Sequence, residues 1–284
     1  MAITKVGVLG AGTMGAGIAQ VCVEAGYNVI LIDIKEEFVA RGLKGIIKNW
    51  DKAASRGKKT EEEVAGYKGQ ITTSVDNNDF KDCGIVIEAV IENMDIKKKV
   101  SKELDGIVGP DAILASNTSA LSITEIATAT NRVDKFIGMH FFNPVPAMKL
   151  IEVIPGAGTS KETVDAVVEL SKKIGKEPVP VKESPGFIVN RLLIPYINEA
   201  AIIYDEGVAS AAEIDVAMKM GANMPIGPLA LADLIGIDVC LMIMEYFWNE
   251  IGDSKYRPSL AFKQKVRAGQ LGRKTGLGFF DYSK

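Results

Sequence analysis

The chain has 284 residues, 47% of them apolar and 24% charged, with a net charge of −3 at pH 7. That make-up suits one large or two moderate globular domains, excludes a disordered or fibrous chain, and leaves no basic footprint for DNA or RNA. A single histidine, His140, excludes a multi-histidine metal centre, and the scattered cysteines Cys22, Cys83 and Cys240 form neither a disulfide framework nor a zinc-binding spacing.

Residues 3–9 are an apolar, β-branched run ending at glycine, the pattern of a buried strand. The first residues run straight into it, leaving no room for a signal peptide, and no apolar run is long enough to span a membrane. With cysteines that read as small buried residues of a reducing compartment, the expectation is a soluble cytoplasmic protein. A helix pattern over 13–25 closes at Gly26, a second strand covers 28–32 and ends at Asp33, and residues 36–70 are helical and highly charged, with a Thr60/Glu63 capping-box signature. Strand patterns at 85–90, 113–116, 136–141, 150–154 and 178–181 then alternate with helix patterns at 94–108, 122–128 and 160–174. Such alternation predicts an α/β fold, a Rossmann-type doubly wound sheet that is mostly parallel.

The pattern changes at residues 184–186. Beyond it lies a long apolar helix over 187–206, with Pro195 inside and Gly207 at its end, followed by shorter helices marked by a Ser210/Glu213 capping box and by Pro228 at a first helical position. The expected organisation is a dinucleotide-binding domain over 1–185, with 36–70 as a helical arm, and an all-α domain over 186–284. The nearly all-round apolar first helix of that second domain suggests burial in a homodimer interface as well as in its own core; the domain is expected to serve substrate binding and dimerisation.

Gly10, Ala11, Gly12, Thr13, Met14 and Gly15 follow a strand and open a helix. The first glycine permits the tight turn, the second lets backbone approach a pyrophosphate, and the third lets helix and strand pack closely. Helix-terminal amides then favour the phosphates. Asp33 stands at the position that hydrogen-bonds the adenosine ribose. Its carboxylate accepts from a free 2′-hydroxyl and repels a 2′-phosphate, so NAD is favoured over NADP, although the neighbouring Lys35 leaves NADP to be tested.

Positions 140 and 152 are symmetric about Pro146. If 136–141 and 150–154 form an antiparallel hairpin, His140 faces Glu152, with both side chains on one side of the sheet. An imidazole oriented by a carboxylate is the acid–base pair that an alcohol dehydrogenation needs. A buried histidine satisfied by a backbone carbonyl is the plainer reading of the same residue.

Several segments together resemble the L-3-hydroxyacyl-CoA dehydrogenases: His140-Phe-Phe-Asn-Pro with Leu150-Ile-Glu152-Val, Ser116-Asn-Thr-Ser119, Ser184-Pro-Gly-Phe-Ile-Val-Asn190-Arg191, and the C-terminal Arg273-Lys-Thr-Gly-Leu-Gly-Phe-Phe-Asp-Tyr282. The resemblance covers essentially the whole chain, and its short form is similar to the bacterial members acting on 3-hydroxybutyryl-CoA. It implies His140 and Glu152 as the catalytic dyad, with Ser119 and Asn190 hydrogen-bonding the reacting oxygens or the thioester. It implies Glu92, Lys97, Asn143 and Lys274 as cofactor-lining residues. It also implies a coenzyme A site. Lys44, Lys48, Lys52 and Arg56 share one helix face, which is either a solvated face or a stripe for the nucleotide phosphates. Arg56 and Asn49 fall at the coenzyme A-contacting positions, Asn49 where the family has serine. The expected activity is NAD-linked interconversion of (S)-3-hydroxybutyryl-CoA and acetoacetyl-CoA. The alternatives are a dehydrogenase of a free hydroxy acid on the same scaffold and a crystallin-like structural protein that retains NAD binding.

Overall fold

Apolar residues fill β1 (Lys5–Leu9) and β2 (Asn28–Ile32), which pair in parallel with α1 (Thr13–Glu24) between them in the chain. The computed structural model describes residues 3–283 and divides into two compact units between Glu183 and Ser184. Helix α1 ends at Gly26, whose φ of 87° lets the Gly26 and Tyr27 amides reach back to the Val23 and Cys22 carbonyls. The charged stretch that follows is two helices, α2 (Glu36–Ser55) and α3 (Glu61–Gln70), the second opened by the Thr60/Glu63 capping box.

Strand β3 (Ile71–Ser74) comes next, a strand that the sequence pattern did not reveal. The chain then crosses to the far side of β1 to lay down β4 (Ile85–Glu88), α4 (Met94–Ile107), β5 (Ile113–Ser116), α5 (Ile123–Ala127) and β6 (Phe136–Phe141). The unit closes with β7 (Leu150–Pro155), α6 (Lys161–Lys173) and β8 (Glu177–Pro180). The sheet order is β3-β2-β1-β4-β5-β6-β7-β8. Strands β1 to β6 are parallel, β7 runs antiparallel to β6, and β8 runs parallel to β7. The order reverses direction between β1 and β4, the switch point outside whose carboxyl ends doubly wound sheets bind ligands.

Buried Val6, Val8, Leu31, Ile85, Ile87, Ile137 and Val153 carry the core of the sheet. Each such side chain taken fully out of water contributes about 1.5–3 kcal/mol. Trp50 on α2 joins them with no exposed surface, its indole N–H donating to Glu24 at 2.9 Å.

The second unit is helical: α7 (Val189–Asp205, containing Pro195), α8 (Ala211–Gly221), α9 (Pro228–Ile235), α10 (Ile237–Ile251) and α11 (Leu260–Arg267). Ile197, Leu229, Met244, Phe247 and Phe262 form its core. Two buried aspartates bind the segments together. Asp215 accepts from the Leu229 and Ala230 amides and so caps α9, and Asp233 accepts from the Phe279 and Phe280 amides and so ties down the C-terminal segment. Among the described residues, no helix is long and apolar enough to cross a membrane.

Candidate active site

The glycine loop sits at the carboxyl end of β1. Gly10 has φ of 102°, and its amide donates to the Ile32 carbonyl at 2.7 Å. A side chain at Gly15 would overlap the Gly10 carbonyl oxygen, so only glycine lets α1 start this close to the strand. The Asp33 carboxylate accepts from the Ala11 amide and from the Ile34 amide, each at 2.7 Å, which fastens the loop to the end of β2 while leaving the carboxylate partly exposed. Helix α1 has Gly12 at its N-cap, no capping side chain and no acid in its first turn. A Cβ built on Gly12 meets nothing within 4 Å. Uncapped amides facing open space at a helix N-terminus are what a pyrophosphate requires. These residues therefore fit an NAD molecule, with Asp33 beside them to accept from the ribose hydroxyls.

Helix α2 packs on the same loop, with Gly42 so close that a Cβ there would lie 2.6 Å from the Ala11 carbonyl oxygen. On its outer face Lys44, Lys48 and Lys52, with Arg56 just beyond the helix end, are all exposed. Ion pairs within 4.0 Å join Lys35 to Glu37 and Lys68 to Asp51 nearby, but none among the described residues involves those four cations. Asn49, expected beside them as a substrate contact, donates its amide to Gln20 on α1 at 2.9 Å.

The hairpin of β6 and β7 has the register anticipated from its symmetry: His140 pairs with Glu152. Imidazole Nδ1 lies 2.6 Å from Glu152 Oε2, with His140 4% exposed and Glu152 fully buried. A carboxylate can only accept, so Nδ1 carries the proton, and in the neutral imidazole Nε2 is then the acceptor nitrogen. The Phe142 ring stands against the imidazole at a centroid distance of 4.4 Å. The turn that follows, residues 142–149, carries the exposed Asn143 with a cis peptide bond to Pro144. Lys176, just before β8, holds that turn by donating to the Val145 carbonyl at 2.5 Å and the Met148 carbonyl at 2.7 Å. Burial, and secondarily the charge of Lys149, keeps the Lys176 ammonium below the ordinary lysine range. Gly17 of α1 packs on the same turn, where a Cβ would come within 2.8 Å of Val145.

Between these two sites lies a buried ionic cluster that pattern reading had missed. Glu88, at the end of β4, and Lys97, on α4, are 2% and 0% exposed, and the Lys97 ammonium lies 3.0 and 3.1 Å from the two Glu88 oxygens. Its distance to Glu92 Oε2 is 3.4 Å. The signal was an acid in an otherwise apolar strand, because a buried carboxylate requires a partner. Lys97 was expected to line the cofactor, but the fold leaves it no surface of its own.

Glu92, half-buried, accepts through Oε1 from the Thr118 hydroxyl at 2.6 Å, the Ser119 amide at 2.8 Å and the Ala120 amide at 3.2 Å. Ser119 itself is half-buried on the loop after β5. In the second unit, Asn190 lies in the first turn of α7, and Lys274 is ion-paired to Asp238 at 2.6 Å. All three cysteines are buried. Burial pushes the Cys22 and Cys240 thiols up to about 12 and Cys83 up to about 11, which removes them as nucleophiles.

A doubly wound sheet with a glycine-loop helix end and an aspartate closing the second strand defines a dinucleotide-binding unit of the kind nicotinamide-dependent oxidoreductases use. Sequence comparison makes the class specific: residues 5–184 match the 3-hydroxyacyl-CoA dehydrogenase NAD binding domain, and residues 186–282 match the 3-hydroxyacyl-CoA dehydrogenase C-terminal domain. The chain belongs to the 3-hydroxyacyl-CoA dehydrogenase family, and its cofactor is NAD. It is 53% identical to a 3-hydroxybutyryl-CoA dehydrogenase of Clostridioides difficile over 280 residues, covering 99% of this chain and 100% of that one. The crystal structure of (S)-3-hydroxybutyryl-CoA dehydrogenase from Ralstonia eutropha superimposes with a TM-score of 0.97 at 52% identity, covering all of both chains. A diketoreductase of dicarbonyl compounds shares the fold at a TM-score of 0.82 and 30% identity, over 99% of this chain and 100% of that one.

Proposed function

We propose that this chain interconverts (S)-3-hydroxybutyryl-CoA and acetoacetyl-CoA, with His140 as the general acid and base and Glu152 as its orienting carboxylate. The observation that carries the reading is the facing pair itself, Nδ1 to Oε2 at 2.6 Å, at the carboxyl end of β6 in an NAD-binding unit. The chemistry supplied by bound NAD is hydride acceptance at the nicotinamide. As the C3–H bond of the alcohol gives up its electron pair, His140 Nε2 takes the hydroxyl proton and the C3–O bond becomes a carbonyl. Glu152 stabilises the imidazolium that results. In the reverse direction the same nitrogen returns the proton to the nascent alkoxide.

In this reading Gly10, Ala11, Gly12 and Gly15 shape the loop, the amides of Thr13 and Met14 at the start of α1 hold the pyrophosphate, and Asp33, which fastens the loop through the Ala11 amide, holds the ribose. Glu92, Asn143 and Lys274 line the cofactor. Ser119 and Asn190 hold the substrate oxygens so that C3 faces the nicotinamide. The unneutralised stripe of Lys44, Lys48, Lys52 and Arg56 meets the coenzyme A phosphates. Exposed Leu192, Val216 and Met220 on the helical unit, at 70%, 52% and 78% of their full accessible surface, suit a homodimer contact.

The test is NADH oxidation with acetoacetyl-CoA, free acetoacetate and longer 3-ketoacyl-CoA esters, repeated with NADPH. Turnover with acetoacetyl-CoA and NADH, at least about tenfold above free acetoacetate and above NADPH, is expected, since each such factor corresponds to about 1.4 kcal/mol of lost contact. Equal or better use of the free dicarbonyl would favour the diketoreductase-like chemistry and overturn the coenzyme A assignment.

A further inference from the structure

We propose that a lysine-lined cleft beside the turn after β6 binds a small, multiply charged phosphate-type anion other than coenzyme A. The cleft, about 260 Å³ in volume, lies where that turn meets the C-terminal ends of α1 and α6, and its charged lining is Glu24, Lys59, Lys149, Lys173 and Lys176. None of these residues is among those placed at the NAD or substrate positions, so the inference goes beyond the dehydrogenase reading and does not depend on it.

The charges of this cleft do not balance. Its one carboxylate is already committed: Glu24 accepts from the Gln20 amide at 2.8 Å and the Trp50 indole at 2.9 Å, and pairs with Lys59 at 3.5 Å. Lys149, Lys173 and Lys176 remain, and among the described residues no carboxylate lies within 4.0 Å of any of them. Lys172, next to them on α6, turns instead to Glu169 at 3.2 Å. The end of α6 does not absorb the excess either, because Gly175 at φ 73° lets its own amide and that of Lys176 bond the Lys172 and Ser171 carbonyls. Lys176 differs from a solvated lysine in being only 7% exposed. Two of its three N–H donors go to the Val145 and Met148 carbonyls, so its charge is fixed in place. Burial, and then the nearby charge of Lys149, holds its ammonium below the ordinary range, with Glu24 opposing only in part. An anion between Lys149 and Lys173 relieves that repulsion and gains charge-assisted hydrogen bonds. Lysines bind phosphoryl groups as point charges, without the fork that favours carboxylates on arginine. The cleft equals about nine waters at about 30 Å³ each, room for one pyrophosphate-sized ion and too little for a nucleotide.

The experiment titrates pyrophosphate calorimetrically into the full-length protein saturated with NADH, which keeps the glycine loop occupied. One site is expected, with a Kd below about 1 mM at about 50 mM salt and several-fold weaker binding at about 0.5 M, as screening of exposed charges requires. Lys149→Gln combined with Lys173→Gln should weaken binding at least about tenfold. Both side chains are exposed, so the melting temperature should hold. Lys161→Gln combined with Lys172→Gln removes the same charge from α6 outside the cleft and should change the Kd by less than about twofold. Saturating coenzyme A should leave pyrophosphate binding in place. Absence of binding, or a cleft variant that binds within about threefold of wild type, would overturn the proposal. Displacement by coenzyme A would overturn it too, by assigning the cleft to the substrate's own phosphates.

Discussion

Gly12→Ala separates what the glycine loop does for the fold from what it does for the cofactor. Gly12 caps α1 at φ −68° and ψ −172°, a conformation alanine adopts freely, and its Cβ would meet no protein atom within 4 Å. The structural cost is that of a poorer N-cap, about 0.5 kcal/mol, or a melting shift of roughly 1–2 °C for a protein of this size. The cofactor meets a different situation. Amide-to-phosphate hydrogen bonds form near 2.9 Å, and a methyl group on the approach face holds the pyrophosphate off by about 1 Å, beyond bonding range. Two charge-assisted bonds lost at about 1.5–3 kcal/mol each amount to roughly 3–6 kcal/mol, or about 10²- to 10⁴-fold in Kd. Fluorescence titration with NADH alongside thermal denaturation reads both quantities. Gly45→Ala is the control: it is also free of neighbours within 4 Å but lies on the exposed side of α2, and should leave NADH binding unchanged. Binding of NADH by Gly12→Ala within threefold of wild type would refute the placement of the pyrophosphate, and so would a fall in melting temperature above about 10 °C, which would mean that Gly12 serves the fold.

Replacing His140 with Gln should lower kcat with acetoacetyl-CoA by about 10²- to 10⁴-fold while NADH still binds, and near-full activity would remove His140 from the mechanism. Glu152→Gln should lose a comparable factor in kcat at unchanged NADH affinity, because an amide can donate to Nδ1 and select the wrong tautomer. Arg56→Glu should raise KM for acetoacetyl-CoA by about 5- to 10-fold at low salt, an effect that shrinks at about 0.5 M salt; a KM indifferent to both charge and salt would identify the stripe as a solvated face. With thiols pushed up to about 11 or 12, none of the three cysteines should react quickly with a disulfide reagent at pH 8 until the protein is denatured, and rapid modification of the folded enzyme would contradict their burial.

The hairpin was readable because two independent features agreed: apolar runs that are buried along nearly their whole length in β6 and β7, and a proline-containing turn symmetric about residue 146. The glycine loop was readable because its helix and both flanking strands were legible as well. Strand β3 escaped because Ile71 is its only buried residue and it lies at the sheet edge against β2, so no apolar run announces it. The Glu88–Lys97 pair escaped for a different reason. Its partners are nine positions apart, and their contact exists only once α4 folds back across the end of β4, which no local pattern encodes. The partner of Asn49 was equally hidden, since its amide donates to Gln20, a contact visible only when α1 and α2 are packed.

The antiparallel turn of the sheet at β7 explains how one small unit can hold the glycine loop and the His140–Glu152 pair together. A parallel neighbour arrives by a crossover of a dozen residues or more, and its register with β6 is set by packing of the connecting element. A hairpin fixes register through its own turn, so Glu152 is aligned with His140 by chain geometry alone. That economy leaves an exposed turn, and the fold restrains it from two directions: Gly17 admits α1 against Val145, and Lys176 binds the Val145 and Met148 carbonyls. Because α1 is also the helix that the glycine loop opens, the same packing contact sets the distance between that loop and the strand that carries His140. The Glu92–Ser119 loop is tied to that strand through Asn117. Helix α1, His140 and Ser119 are therefore referenced to one another within residues 3–183.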